Sequence, residues 1–143
     1  MKDSESERNA ASGVKGVAAA QMGYLDTLLM PIELSDTHCH LEQLDAGALD
    51  EAAAAGVTTI VAVAQDAGSM RAVLDLASRF PGRVLPGLGI HPCTVTDRGL
   101  EALAPDLTLL TERAADAAVI GETGLDHKWA VSAAQQAEQE RLL

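Results

Sequence analysis

An alternation of apolar runs with amphipathic segments constrains the fold of this chain more than any other feature. From residue 34 onward, four predicted strands are each followed by helical sequence, at residues 34–38, 58–64, 84–89 and 118–122. The second run is apolar and β-branched, which is typical of a strand buried on both faces. Four β-α units in succession predict right-handed crossovers and a parallel sheet.

The predicted helices have recognisable boundary residues. We expect Asp45 to be the N-cap of the first helix, Gly56 to follow its last turn, and Ser69 to be the N-cap of the second. The predicted helices cover residues 45–55, 69–80, 100–103, 105–117 and 130–143. The last one reaches the final residue without a stop signal, which favours a truncated fold over a complete small one.

The number of units predicts an α/β fold, a parallel (β/α) barrel of TIM type with about four of its eight units present. A full barrel has about 250 residues, whereas this chain has 143. We therefore expect residues 34–143 to form the N-terminal half of a barrel. Residues 1–33 are predicted to be disordered or peripheral. Within them, residues 21–33 form either a docked helix or upstream sequence, with Met1, Met22 and Met30 as alternative starts.

Composition narrows the class of protein. The net charge of −11 argues against broad electrostatic binding to nucleic acid, although bound cations would reverse the local sign. The sequence contains no apolar run long enough to span a membrane and no signal peptide. The two cysteines, Cys39 and Cys93, match no disulfide framework or zinc motif. We therefore predict reduced thiols and a cytoplasmic protein without membrane contact.

Two histidines at positions i and i+2 are the first candidate site residues. On a strand, His38 and His40 project from one face, while Cys39 projects from the other and is expected to pack. Two imidazoles on one face form half of a site for a borderline divalent cation, which carboxylates from elsewhere would complete. The alternative is a pair of histidines that only form hydrogen bonds.

Further polar residues follow the other predicted strands, and the carboxyl ends of barrel strands share one rim. They are Gln65 and Asp66, His91, and Glu122. Glu122 is either a ligand or a solvated residue, and its flanking glycines, Gly121 and Gly124, suggest close backbone approach.

Several rim residues keep two interpretations. His91 either contacts substrate or supports the ligands, or it forms a hydrogen bond within its loop. Asp36 either orients a ligand or helps to end the first strand. Asp126 is expected to fix its turn, and His127 to be a loop residue.

Three motifs carry a family resemblance. They are Asp-Thr-His-Cys-His-Leu at 36–41, Gly-Ile-His-Pro at 89–92 and Gly-Glu-Thr-Gly-Leu-Asp at 121–126. Each is weak alone, but in this order they resemble the TatD family of metal-dependent deoxyribonucleases, which are amidohydrolase-type barrels. The resemblance covers residues 34–143.

The resemblance implies a ligand set and a reaction. His38 and His40 would ligate one metal ion, and Glu122 would bridge two, with Mg²⁺, Zn²⁺ and Mn²⁺ all compatible. His91 and Asp36 would contact substrate or support the ligands. Metal-activated water would cleave phosphodiester bonds in DNA. The family's two later histidines and its aspartate near the water have no counterpart here, so no catalytic residue is assigned.

Three functions follow as hypotheses. The leading one is a TatD-type DNase, present as its N-terminal half and nearly inactive alone. The second is an amidohydrolase-type enzyme that acts on an amide or ester. The third is a non-catalytic half barrel, which forms a homodimer or pairs with a separately encoded second half because its sheet edges are open.

Overall fold

Four parallel strands form one sheet within residues 32–143, the part of the chain that the computed structural model describes. In sheet order they are β1 (Leu34–Cys39), β2 (Val57–Val63), β3 (Val84–Leu88) and β4 (Val119–Ile120). Consecutive strands are neighbours, and every pair is parallel. The predicted α/β half barrel is confirmed.

The predictions for the first 31 residues concern a part of the chain outside this description. They are the disordered or peripheral extension, the docked helix and the alternative starts at Met1, Met22 and Met30. Residues Glu33–Leu143 form a compact unit by themselves. Among the described residues, no helix has both the length and the apolar character needed to cross a membrane.

Five α-helices and three short 3-10 segments accompany the described strands. The α-helices are α1 (Ala48–Ala54), α2 (Ala67–Arg79), α3 (Pro92–Arg98), α4 (Ala104–Arg113) and α5 (Ala133–Leu142). The 3-10 segments are Leu41–Gln43, Leu100–Leu103 and Ala114–Asp116. The sequence analysis missed α3, although a proline at its first position is a recognised start signal.

Two predicted N-caps are wrong. Asp45 lies in the turn before α1, where its carbonyl accepts from the Ala48 N–H, and the N-cap is Gly47, which has no side chain to bond. Helix α2 begins at Ala67, two residues earlier than predicted, because its N-cap is Asp66, and Ser69 completes a capping box. The bond from the Ser69 backbone N–H lowers the pKa of the Asp66 carboxyl.

The core lies between the sheet and its helices. On the face of β2 toward this layer, the buried side chains are Ile60 and Ala62, followed by Ala64 just after the strand. They pack with the buried Met70 and Val73 of α2. On the other face of β2 the prediction of full burial holds only at Val63, whereas Thr59 and Val61 are half-buried. This difference arises because no second layer of described residues covers that face.

Strand β4 is shorter and more open than predicted. It pairs with β3 at only two positions, Gly87 with Val119 and Leu88 with Ile120. Both β4 side chains are exposed, Val119 by 42% and Ile120 by 57%. Within the described residues, β1 and β4 are therefore the two free edges of the sheet.

Candidate metal centre

Two histidines and one carboxylate meet at the edge of the sheet where the strands end. The Nε2 atom of His38 lies 3.0 Å from Oε1 of Glu122, and the Nε2 atom of His40 lies 3.5 Å from Oε2 of the same carboxylate. One potential ligand atom from each residue lies within 4.8 Å of the others. The structure thus brings together the three residues predicted as metal ligands.

The backbone fixes the orientation of the His40 ring. Its Nδ1 atom lies 3.0 Å from the Val63 carbonyl oxygen, which accepts but cannot donate. Nδ1 therefore carries the proton that is donated, and in the neutral ring Nε2 keeps a free lone pair directed into the site. A bond of this kind commonly orients a histidine that ligates metal.

Asp36 acts on the backbone of β1. Its Oδ1 atom accepts from the His38 backbone N–H at 3.0 Å. The register of β1 against β2 is irregular between Asp36 and Cys39, and such bulges often re-aim a side chain. Since the strand continues to Cys39, the interpretation that Asp36 ends it is wrong. The side chain of Asp36 instead supports the segment that carries His38.

The position of Glu122 depends on a glycine in the neighbouring strand end. A Cβ atom at Gly89 would lie 2.4 Å from the Glu122 carbonyl oxygen and 2.4 Å from the carbonyl carbon of Gly121. The close backbone approach that Gly121 and Gly124 suggested does occur at Gly121, but the glycine that permits it is Gly89, because a Cβ at Gly121 or Gly124 would meet nothing within 4 Å. Gly89 belongs to the Gly-Ile-His-Pro motif, and this was the sequence feature that could have indicated its role.

The side chain of Gln65 also reaches this cluster. The sequence predicted Gln65 on the rim but not among the metal ligands. The Nε2 atom of Gln65 lies 3.3 Å from Nε2 of His40 and 3.4 Å from Oε2 of Glu122. Gln65 lies two residues after the end of β2, between His40 and Glu122 in the order of the sheet. Gln65 belongs to none of the three motifs. Its nearness to the ligands depends on the register of β2 with its neighbours.

His91 stands apart from the cluster. It is the N-cap of α3, and its Nδ1 atom accepts from the Cys93 backbone N–H at 3.0 Å. This is the hydrogen bond within its loop that the sequence left as one of two interpretations. The other interpretation, contact with substrate, stays a prediction.

The turn after Glu122 is fixed by Asp126, as expected. Its Oδ1 atom accepts from the Lys128 backbone N–H at 3.1 Å, while Oδ2 lies 3.5 Å from Sγ of Cys93. Burial, and then Asp126, raise the pKa of the Cys93 thiol. Cys39 is half-buried against the core, and both cysteines are free thiols. His127 is an exposed loop residue.

An open cleft of about 380 Å³ lies beside the cluster on the uncovered face of the sheet. His38 and Glu122 line it together with Thr37, Val63 and the two β4 residues. The donor set fits a divalent cation, because two neutral imidazoles and a carboxylate suit Zn²⁺, Mn²⁺ and related ions. The cleft gives a substrate access to that set.

Comparison with protein families decides the classification. The family described as TatD related DNase matches residues 35–143. The chain belongs to the TatD family. This confirms the resemblance that the three motifs carry.

Individual TatD relatives agree in both sequence and structure. Human "Deoxyribonuclease TATDN3" is 33% identical over 128 residues, which cover 78% of this chain and 46% of that protein. The "Uncharacterized metal-dependent hydrolase TatD" of Mycobacterium tuberculosis is 37% identical over 101 residues, covering 66% of this chain and 37% of that one.

The crystal structure of YJJV, a TatD homologue from Escherichia coli k12, superposes with a TM-score of 0.55 at 30% identity. The match covers 79% of this chain and 47% of YJJV. The present TatD chain thus spans somewhat less than half the length of these relatives.

Proposed function

We propose that this chain carries the metal-binding half of a TatD-type DNase that cleaves phosphodiester bonds in DNA. The observation that carries the proposal is the convergence of His38, His40 and Glu122 within 4.8 Å at the strand ends of a TatD-family chain. His38 and His40 would hold one divalent cation, and the two oxygens of Glu122 allow it to bridge to a second. Mg²⁺, Zn²⁺ and Mn²⁺ remain the candidate ions.

Each residue of the cluster has a distinct role in this proposal. The bond to Val63 keeps the His40 lone pair aimed into the site, and Asp36 holds the backbone of His38. Bound cations would supply an activated water and neutralise charge on the scissile phosphate. Because the chain has a net charge of −11, attraction of DNA to this rim would depend on those cations.

The metal site is tested by calorimetric titration of the 143-residue chain with Mn²⁺ and Zn²⁺. We expect His38→Ala and Glu122→Ala to weaken binding by at least about tenfold, because each removes a ligand. His127→Ala is the matched control, since this exposed histidine lies outside the cluster, and it should bind as the parent does. Equal affinity in the parent and His38→Ala would contradict the metal site.

The substrate is tested with labelled single- and double-stranded DNA, and with a panel of small amides and esters. We expect the parent chain to cleave DNA slowly at most, and only with added metal ions. We expect Glu122→Gln to abolish this cleavage. Fluorescence anisotropy of a labelled oligonucleotide, with and without Mg²⁺, gives a readout independent of turnover. Amide or ester hydrolysis without DNA cleavage would instead support the amidohydrolase alternative.

Partnership and compartment stay predictions. The free edges at β1 and β4 within the described residues are compatible with a homodimer or a complementing second half. A cytoplasmic location is retained as the proposal made from the sequence.

A further inference from the structure

The side-chain amide of Gln65 occupies the space between two of the proposed ligands. Its Nε2 atom lies 3.3 Å from Nε2 of His40 and 3.4 Å from Oε2 of Glu122. We propose that Gln65 is a further metal ligand of this chain, binding the cation through Oε1. The inference rests on the metal site proposed above and adds to it a residue from the β2–α2 turn.

The spacing of these atoms is that of ligands around one ion. Bonds of about 2.0–2.1 Å in a tetrahedral site place the ligand atoms about 3.4 Å from one another. The terminal atom of the Gln65 amide lies at this separation from both His40 and Glu122, and the ligand atoms of those two residues are 3.5 Å apart. An atom at this place can share a cation with both of them.

The chemistry of His40 requires the amide to turn when a cation binds. Neutral His40 donates from Nδ1 to Val63, so the single lone pair on Nε2 serves either Gln65 or a cation. Cation binding therefore breaks the Gln65–His40 hydrogen bond. The terminal amide torsion of glutamine is roughly two-fold, so a half turn replaces Nε2 by Oε1 with little strain. That turn converts a competing donor into a ligand.

The backbone of Gln65 keeps the amide within reach. Its N–H donates to Ser69 Oγ at 2.8 Å, and its carbonyl oxygen accepts from the His91 N–H and the Thr94 hydroxyl, each at 3.0 Å. Gln65 is half-buried, so the surrounding protein encloses part of its side chain. An amide oxygen is a hard donor, so its contribution should be larger for Mn²⁺ and Mg²⁺ than for Zn²⁺.

The test compares metal affinities of Gln65→Leu, Gln65→Glu and the parent chain by calorimetric titration with Mn²⁺. We expect about tenfold weaker binding in Gln65→Leu and binding at least as tight as the parent in Gln65→Glu, which offers a carboxylate. The matched control is Gln43→Leu, because Gln43 is exposed and its side-chain amide donates to Glu42 and not to a proposed ligand. Affinity in Gln65→Leu equal to or tighter than the parent would show that the amide only competes with the cation, and would overturn the inference.

A second measurement does not depend on the folding of a variant. In the ¹H–¹⁵N spectrum of the parent chain, the Gln65 NH₂ pair is assigned through selective labelling. Saturating Zn²⁺ should shift it, because Nε2 leaves His40, while the Gln43 pair stays in place. A Gln65 pair that does not move on metal loading would overturn the inference.

The two proposals fail in different ways. If His38→Ala binds Mn²⁺ as the parent does, the metal site itself is wrong. If His38→Ala loses binding while Gln65→Leu keeps it, the site stands and Gln65 is not a ligand.

Discussion

Gly89 is the residue of the site that should tolerate substitution least. In Gly89→Ala, the new Cβ would lie 2.4 Å from backbone atoms of Gly121 and Glu122, and backbone cannot rotate away as a side chain can. We expect an unfolding free energy lower by about 1–3 kcal/mol and at least about tenfold weaker Mn²⁺ binding through displaced Glu122. Urea denaturation and calorimetric titration measure the two effects. Gly47→Ala is the control, since a Cβ there meets nothing within 4 Å, and wild-type metal affinity in Gly89→Ala would refute the positioning role.

The Cys93 thiol offers a test of local electrostatics. Burial and the Asp126 carboxylate raise the pKa of this thiol, so near pH 8 less thiolate is present than in an unperturbed cysteine. Asp126→Asn keeps the acceptor for Lys128 but removes the charge, so it should lower the pKa and speed alkylation of Cys93. Mass spectrometry of iodoacetamide-treated peptides measures this rate, with Cys39 as the internal reference. Equal Cys93 rates in both proteins across pH 7–9 would show that Asp126 does not control the thiol.

The site was predictable from sequence where motif and strand period coincide. Strand alternation predicted that His38 and His40 lie close together, although β1 ends at Cys39 and His40 follows it. Glu122 was placed on the same rim because it comes just after a predicted parallel strand. Gln65 was predicted on the rim but not among the ligands, and Gly89 was noticed only as part of its motif, because the nearness of both to the cluster follows from inter-strand register. Register is a tertiary property that one strand's sequence does not encode.

Among the helices, α5 carries a buried amide that bonds to other parts of the fold. Gln139 is fully buried, its Oε1 accepts from the Asp126 backbone N–H at 2.8 Å, and its Nε2 donates to Pro92 and Thr96 of α3. This amide therefore connects the two helices with the turn after Glu122. A buried glutamine has no periodic signal, so this contact was not predictable from the sequence.

Replacing that amide should destabilise the fold. Gln139→Leu leaves the Asp126 N–H and the α3 acceptors without their partner, and an unsatisfied buried polar group costs about 1–3 kcal/mol. We expect a lower urea midpoint with an unchanged slope. Gln136→Leu is the matched control on the same helix, because it loses a single bond to the Ala130 carbonyl and should have the smaller effect. Equal midpoints in the two variants would contradict the connecting role of Gln139.

The helices also show where sequence signals succeed and fail. Gly56 was correctly placed after the first helix, since it adopts a φ of 90° there. The N-cap of α2 was placed three residues late because Ser69 and Asp66 are both good capping residues, and only the bonded geometry shows that Asp66 is the N-cap. Helix α3 is only seven residues long, too short to show a clear helical period.

For the whole molecule, the alternation of strands and helices was sufficient to predict the architecture. Strands joined by short crossovers usually pair with their sequence neighbours, and the observed order from β1 to β4 follows this tendency. The lengths of β4 and of the buried part of β2 were not predictable, because they depend on which layers cover the sheet. The described residues cover one face and leave both edges free.

The edge at β4, which is free among residues 32–143, should promote self-association of the 143-residue chain. An unpaired strand edge presents N–H and C=O groups to other chains, and Ile120 adds an apolar side chain that is 57% exposed. A charged residue on an edge strand opposes such pairing, so Ile120→Lys should shift the chain toward monomer. Sedimentation velocity over a concentration series measures this shift. Val131→Lys is the control, because Val131 is 81% exposed in the loop before α5 and lies outside the strands. A parent chain that stays monomeric throughout, or equal association in both variants, would show that the β4 edge does not drive assembly.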